Sequence, residues 1–400
     1  MIKFLIVLLF GAFVLGQVGR VPITESITLN IFDVALVLFL SSVLVRQILQ
    51  KKKIELFKYP ILLFLGFIVT GGISLLVHSF ALDQVEIIAA LLYLVRWILY
   101  MSAGIVVMQL SSKEKEFIKL NMLLSGVLIV LIGYVQYVLY PDLKNLYYLG
   151  WDDHLYRMFS TFLDPNFAGA FFVLFFFFLL YFYTRKRFEF TIKTLFLYGS
   201  TVLTFGAIFL TYSRTALLMF LIGSIVWLIL IGRKKVIVLF VAGILIAYAL
   251  FAGQLEGLNP FRTASVTARI ESANNAFKIF QDNPVIGVGF NAYRYAQQEY
   301  GFRTGPGAVR SHSEASTDNS YLFVLATTGV IGMFLYIFGW LNIVKSIYRK
   351  SIASERRLRV LFIVSLSAVA FGSLFTNLFF YTPLLFWIMC LYGITQNKKP

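Results

Sequence analysis

The feature that most constrains this chain is a succession of apolar runs. Each is near the roughly 20 residues an α-helix needs to cross a hydrocarbon core of about 30 Å. They fall at 3–19, 31–49, 59–79, 85–110, 118–140, 166–184, 194–211, 215–232, 236–253, 318–343, 358–376 and 379–395. An all-α polytopic membrane protein with about 12 transmembrane helices is expected. Composition agrees, since 59% of residues are hydrophobic and only 14% charged, against about 25% charged in an average soluble domain. A water-soluble fold is excluded. The single cysteine, Cys390, lies in the last run, so no intramolecular disulfide braces the chain.

The position of the charges gives the runs a direction. Lys and Arg gather at every second junction, as in Lys51-Lys52-Lys53, Lys113 to Lys119, Arg185-Lys186-Arg187, Arg233-Lys234-Lys235, Arg349 to Arg359 and Lys398-Lys399. The positive-inside rule makes these junctions cytoplasmic. With their flanks they hold 24 bases against 5 acids, and the rest of the chain holds 11 against 14; the balances of +19 and −3 together make the net +16. The basic excess is thus topological and calls for no nucleic-acid partner. An even number of spans puts both termini in the cytoplasm. Lys3 and its apolar sequel resemble a signal peptide, but no small-x-small cleavage site follows, and the run is read as an uncleaved first helix. The Phe-rich stretch 171–182 is read as a lipid-facing helix.

Three regions follow: spans 1–9 within 1–253, including an outer loop at 141–165; a large extracytoplasmic loop at 254–317 between spans 9 and 10; and spans 10–12 within 318–400. In the large loop Val266, Ile270, Ala273, Phe277 and Phe280 recur at helical spacing and predict one apolar face laid against the membrane domain. Asp282-Asn283-Pro284 stops that helix, Gly287 and Gly289 mark a turn, and a second short helix is expected from about Asn291 to Tyr300. The stretch 301–317, with Gly301, Gly305, Pro306 and Gly307, reads as a loop.

The two sides use different bases. On the cytoplasmic side 8 of 24 are Arg, and outside 9 of 11 are. Arg presents a planar fork that grips phosphate or carboxylate through two donors, which Lys cannot do, so the bias points to an outward anionic ligand. The candidates are Arg157 and Arg214 at span ends, Arg269 on the surface helix, and Arg303 and Arg310 on the loop beyond it. His312, Glu314 and Asp318 are the candidate proton acceptors beside them. Asp152-Asp153-His154 suits either a divalent metal or a plain acidic turn and is left unassigned. Within the spans Asp33, His78 and Arg96 interrupt apolar sequence, and such groups are functional candidates by default. Burial against a neighbouring helix is favoured for His78 and Asp33; Arg96 stays open, with Glu86 or Asp83 within reach only if its helix edge is shifted.

Several motifs, taken in order, resemble the O-antigen ligase and polymerase family. They are Asp164-Pro165-Asn166-Phe167-Ala168-Gly169, Ser213-Arg214, the run from Arg269 to Gly289 with its Asn283-Pro284-Val285-Ile286-Gly287-Val288-Gly289 core, Asp318-Asn319-Ser320-Tyr321-Leu322, and Thr328-Gly329-Val330-Ile331-Gly332. The resemblance implies a multispan, GT-C-like glycosyltransferase in the cytoplasmic (inner) membrane, inverting and metal-independent, with no cofactor. It would move or polymerise glycan from a polyprenyl diphosphate carrier onto a glycan or lipid acceptor at the outer face, among membrane lipids. It also implies that Arg214 and Arg269 hold the diphosphate and that a late-loop histidine acts on the acceptor. Many ligases carry that histidine directly before the motif asparagine, where this chain has Asp318; His312, six residues upstream, is favoured for the role, with Asp318 second and Glu314 a further candidate. A transporter or flippase of lipid-linked sugars is the alternative, but no half repeat of the kind such proteins show is evident.

Overall fold

The computed structural model describes residues 1–23, 28–51, 62, 64–78, 82–149, 151–183, 191–237, 243, 264–302, 316–349 and 356–396. Its helices are α1 (Ile2–Leu15), α2 (Ile31–Leu49), α3 (Phe64–Val77), α4 (Gln84–Met108), α5 (Ser112–Leu139), α6 (Pro165–Tyr183), α7 (Ile192–Leu210), α8 (Arg214–Leu230), α9 (Ala264–Asp282), α10 (Tyr293–Glu299), α11 (Ser320–Arg349), α12 (Arg356–Gly372) and α13 (Thr382–Thr395). A two-stranded antiparallel ribbon, β1 (Arg20–Pro22) with β2 (Thr28–Asn30), joins α1 to α2 and pairs Arg20 with Asn30. Every expected run but the ninth is helical; the ninth, 236–253, lies almost wholly outside the described residues. Six helices, α2, α4, α5, α6, α7 and α11, are long and apolar enough to cross a membrane, and α1, α3, α8 and α13 are shorter apolar helices. The chain is an all-α polytopic membrane protein, with one small ribbon among the described residues.

Side-chain satisfaction at the helix starts explains several boundaries. Asn30 caps α2, accepting from the Phe32 amide at 2.9 Å while Asp33 Oδ2 accepts from the Asn30 amide at 3.4 Å. At α4, Glu86 turns back to accept from the Asp83 amide at 3.0 Å. Each such contact satisfies an amide that a helix N-terminus leaves unpaired. Glu86 and Asp83 therefore belong to the start of α4 and are not the partners of Arg96.

The core gathers around α13, whose residues Pro383 to Thr395 are all buried, with α4 packed along it. Aromatic rings fill the centre: Phe13 stands 5.6 Å from Phe171, Phe32 5.1 Å from Phe386, and Phe171 5.1 Å from Trp387, all edge-on. Such pairs contribute about 0.5–1.5 kcal/mol each beyond the area they bury. Here one expectation is corrected, because the Phe-rich stretch does not face lipid. Phe171, Phe172, Phe175, Phe177 and Phe178 are fully buried, and α6 is a central helix. Room for the rings comes from neighbouring glycines: a Cβ on Gly126 of α5 would stand 2.2 Å from Phe175, and one on Gly223 of α8 would stand 2.4 Å from Phe177. Close approach at small residues is the ordinary means by which helices associate in lipid. Period alone does not separate a helix buried on all sides from one bathed in lipid, since both are apolar all round.

The Asn283-to-Gly289 motif meets α11 at a break in that helix. Gly329 takes φ 63° and ψ −167° inside α11, which frees backbone groups that lipid cannot satisfy. The segment after α9 supplies their partners: the Val288 amide donates to Ala326 O at 2.9 Å, Gly289 to Thr327 O at 3.1 Å, and Val330 to Pro284 O at 2.9 Å. A Cβ on Gly329 would lie 2.2 Å from Val285 O, so the crossing needs glycine for space as well as for φ. Ser74 of α3 donates to Thr327 O at 3.1 Å, and the His78 ring meets Asn283 Oδ1 at 3.3 Å. His78 is thus a structural fastening, as favoured.

A second correction concerns α9. Val266, Ile270 and Phe277 are 42%, 56% and 47% exposed, so the stripe expected to pack inward points away from the helical body. The inward face holds Ala276 and Ile279, both buried, with Ser272 hydroxyl bonded to Thr317 Oγ1 at 3.3 Å. Small side chains let α9 sit close to α11, and the larger apolar ones remain outside. The short second helix forms as expected, as α10.

Candidate functional site

The ends of α1, α4, α6, α9, α10, α11 and α13 on one side of the helical body surround a cavity of about 410 Å3, within the usual range for ligand sites. Arg20, Arg96, Arg269 and Arg294 line it, together with Asp152, His154, Asp164 and Asp318. All but Arg96, which lies within α4, belong to junctions whose charge sign assigned them to the side opposite the Lys clusters.

Beside the cavity the sequence motifs interlock. Asp164 Oδ1 accepts from the amides of Asn166 at 2.6 Å and Phe167 at 3.2 Å, capping α6 with Pro165 in its first turn. Asn166 Oδ1 in turn accepts from the Ser213 hydroxyl at 2.9 Å, and Ser213 caps α8 by accepting from the Ala216 amide at 3.3 Å. The Asp-Pro-Asn and Ser-Arg motifs are therefore two halves of one hydrogen-bonded corner. Arginines gather there: Arg157 Nε donates to Thr211 O at 2.9 Å, Arg214 opens α8, and Arg269 reaches Thr215 Oγ1 at 3.5 Å. Three of the five expected arginines thus converge on the turn from Thr211 to Thr215. Arg269 also borders the cavity, whereas Arg157 and Arg214 stand beside it. The dipole of the α8 N-terminus adds further positive potential at that turn.

Asp318 stands at the mouth of α11, its amide donating to Ser272 Oγ at 3.4 Å, while Asn319 caps the helix through the amides of Tyr321 and Leu322 at 2.9 and 3.1 Å. Burial pushes the Asp318 carboxyl above the ordinary carboxylate range; the Arg269 guanidinium pulls it back, and Asp164 and Asp152 push it up again. That is the environment of a carboxylate with a stronger affinity for protons than one in water. The expected partners Arg303, Arg310, His312 and Glu314 lie outside the described residues.

Other cavity residues were missed or left open at the level of sequence. Arg96 donates through Nε to Asp33 Oδ1 at 2.9 Å, and the Tyr100 hydroxyl donates to the same oxygen at 2.7 Å. The two charges sit in separate apolar runs, and nothing in their spacing joins them. Arg20, held by the ribbon, lies 5.6 Å over the Trp151 ring; burial is the main cause lowering its pKa, and Arg96 acts in the same direction. His154 is largely buried, 3.9 Å from Asp164 Oδ2, rather than part of a plain acidic surface turn. Burial lowers its pKa, opposed by Asp164 and assisted by Arg157, which favours the neutral imidazole. Among the described residues no three His, Cys, Asp or Glu side chains are grouped to hold a metal ion.

Residues 199–337 match the family model described as O-antigen ligase, a span that includes Arg214, Arg269, the Asn283-to-Gly289 crossing and Asp318. A search of curated proteins returned no match. The interlocked motifs and this match agree: the segment 199–337 of this integral membrane protein is similar to the O-antigen ligase family, which suggests a glycan-transferring role in polysaccharide biosynthesis.

Proposed function

We propose that this protein transfers or polymerises glycan from a polyprenyl diphosphate carrier at the outer face of the cytoplasmic membrane. The observation that supports the reading most strongly is the convergence of Arg157, Arg214 and Arg269 on the turn that begins α8, beside a cavity containing Asp318. In the proposed step an acceptor hydroxyl attacks the anomeric carbon of the donor sugar. The bond from that carbon to the carrier oxygen breaks, and the carrier diphosphate leaves with the electron pair. Negative charge grows on the diphosphate, where fixed guanidinium groups and the α8 amides stabilise it most in the transition state. The hydroxyl proton passes to Asp318, whose raised pKa makes it a stronger proton acceptor than an ordinary carboxylate. Direct displacement of this kind inverts the anomeric configuration, and the arginines take the part that a divalent metal plays in other diphosphate-releasing enzymes. The membrane places carrier and protein at one depth, so the diphosphate meets the cavity mouth without leaving the headgroup layer.

The test is transfer by the full-length protein in lipid nanodiscs, using a synthetic polyprenyl diphosphate-linked oligosaccharide in excess chelator. The expected result is release of carrier diphosphate with an inverted linkage in the product. No transfer without added divalent metal, or retention of configuration, would contradict the mechanism. In a deletion strain, accumulation of single carrier-linked units indicates polymerisation, and accumulation of long carrier-linked chains indicates ligation.

A further inference from the structure

The cavity has two clusters of charge. Arg269, Asp164 and Asp152 act on Asp318, and Arg20 and Arg96 sit together on the wall built by the ribbon and α4, next to Tyr93 and Tyr381. The carboxylate that meets Arg96 is Asp33, which engages Nε alone. Among the described residues the remaining nitrogens of that fork have no protein partner, although Arg96 is largely buried, its side chain 17% exposed, and borders the cavity. Asp33 is itself fixed by Tyr100 and by the cap of α2, so it holds the guanidinium in one orientation. Unused donors on a largely buried, fixed guanidinium beside a second, partly buried arginine form a preorganised receptor for phosphate.

We infer that Arg20 and Arg96 form a second phosphate-binding subsite, which seats the phosphate of the acceptor while the donor diphosphate occupies the turn at α8. The inference rests on the proposed transfer and extends it: the protein joins two lipid-borne, phosphate-bearing substrates and holds each by its own arginines. Asp33 and Tyr100 are positioning residues for Arg96. The carboxylates around Asp318 repel a second phosphate from the centre of the cavity, and the Arg20–Arg96 wall receives it. The acceptor hydroxyl is then left to approach Asp318.

The test is calorimetric titration of the full-length protein in nanodiscs with geranylgeranyl diphosphate. Two molecules per chain are expected. Arg20→Gln should remove one of them, weakening that site at least about tenfold, as loss of a charge-assisted hydrogen bond does, while Arg269→Gln removes the other. Arg96→Gln alone leaves Asp33 without its counter-ion, so the double variant Arg96→Gln/Asp33→Asn carries that arm. It should match Arg20→Gln. A wild-type stoichiometry of one, or two wild-type sites in both Arg20→Gln and the double variant, overturns the inference. Inorganic diphosphate should not displace the second lipid at comparable concentration; if it does, a free phosphate rather than a lipid-borne acceptor is the ligand and the inference fails. Failure of the transfer reading shows separately, as absent turnover by wild type on the carrier-linked donor.

Discussion

The two ends of the helical body are both rich in basic residues, yet they use them in opposite ways. At the end with the C-terminus of α2 and the start of α5, the bases close on neighbours: Arg46 grips Glu114 at 2.5 and 3.4 Å, Lys119 pairs with Glu116, and Lys115 donates to Gln396 O at 2.6 Å. At the other end four arginines border a cavity, and three are drawn to one helix-opening turn. Charge density is therefore a poor guide to a site in a membrane protein. The difference lies in what the donors border: both ends engage the protein's own acids and carbonyls, as Arg96 does Asp33 and Arg157 does Thr211, but at the cavity end the arginines also line an enclosed space.

The comparison is broken or sharpened by substitution at each end. The largest effect is expected from Asp318→Asn, which keeps the shape and removes the proposed proton acceptor; turnover should fall by roughly 10^2 to 10^4, the usual contribution of a positioned base, with donor binding retained in the titration. Asp33→Asn should leave Arg96 buried without its carboxylate, a loss of about 3–5 kcal/mol for a broken buried pair, visible as a lowered thermal midpoint. The Asp33 and Arg96 side chains are only 15% and 17% exposed, so solvent screens the pair weakly. Smaller is the pH effect of Asp152→Asn. Asp152 raises the Asp318 pKa, and a base acts when deprotonated. Activity therefore falls as pH drops through that raised pKa, and removing Asp152 should move the acid limb of the pH–rate profile to lower pH. An unmoved limb assigns proton transfer elsewhere. Smallest of all, Arg46→Gln at the opposite end should cost about 1 kcal/mol or less and leave turnover unchanged. Loss of activity there would erase the distinction between the two ends.

Much of the architecture was legible from length and hydropathy, because a lipid core demands apolar runs of one length and turns must lie between them. The α9 stop at Asp282, the turn at Gly287 and Gly289, and the helix after it were legible from local backbone chemistry. Which way a helix faces was not. Phe171 to Phe178 and the Val266–Phe277 stripe were both assigned the wrong neighbour, since in lipid the outer face is as apolar as the core and amphipathicity loses its meaning. The site was half legible: the arginine bias singled out Arg157, Arg214 and Arg269, and the motif order singled out Asp164, Asn166 and Ser213. The Asp33–Arg96 pair and the burial of His154 depend on packing between helices distant in sequence, which no local pattern records. For His78 the favoured reading, burial against a neighbouring helix, agrees with its contact with Asn283 at the crossing beside α11.

The most direct measurement compares turnover of Arg214→Lys, Arg269→Lys and Arg46→Lys in the same nanodiscs on the same carrier-linked donor. Each substitution keeps the charge and removes the fork. A loss of roughly 10^2 to 10^3 is expected for the first two, as for removal of a preorganised donor to developing charge, with wild-type turnover for the third. Wild-type turnover by both Arg214→Lys and Arg269→Lys would contradict the claim that this turn holds the leaving diphosphate.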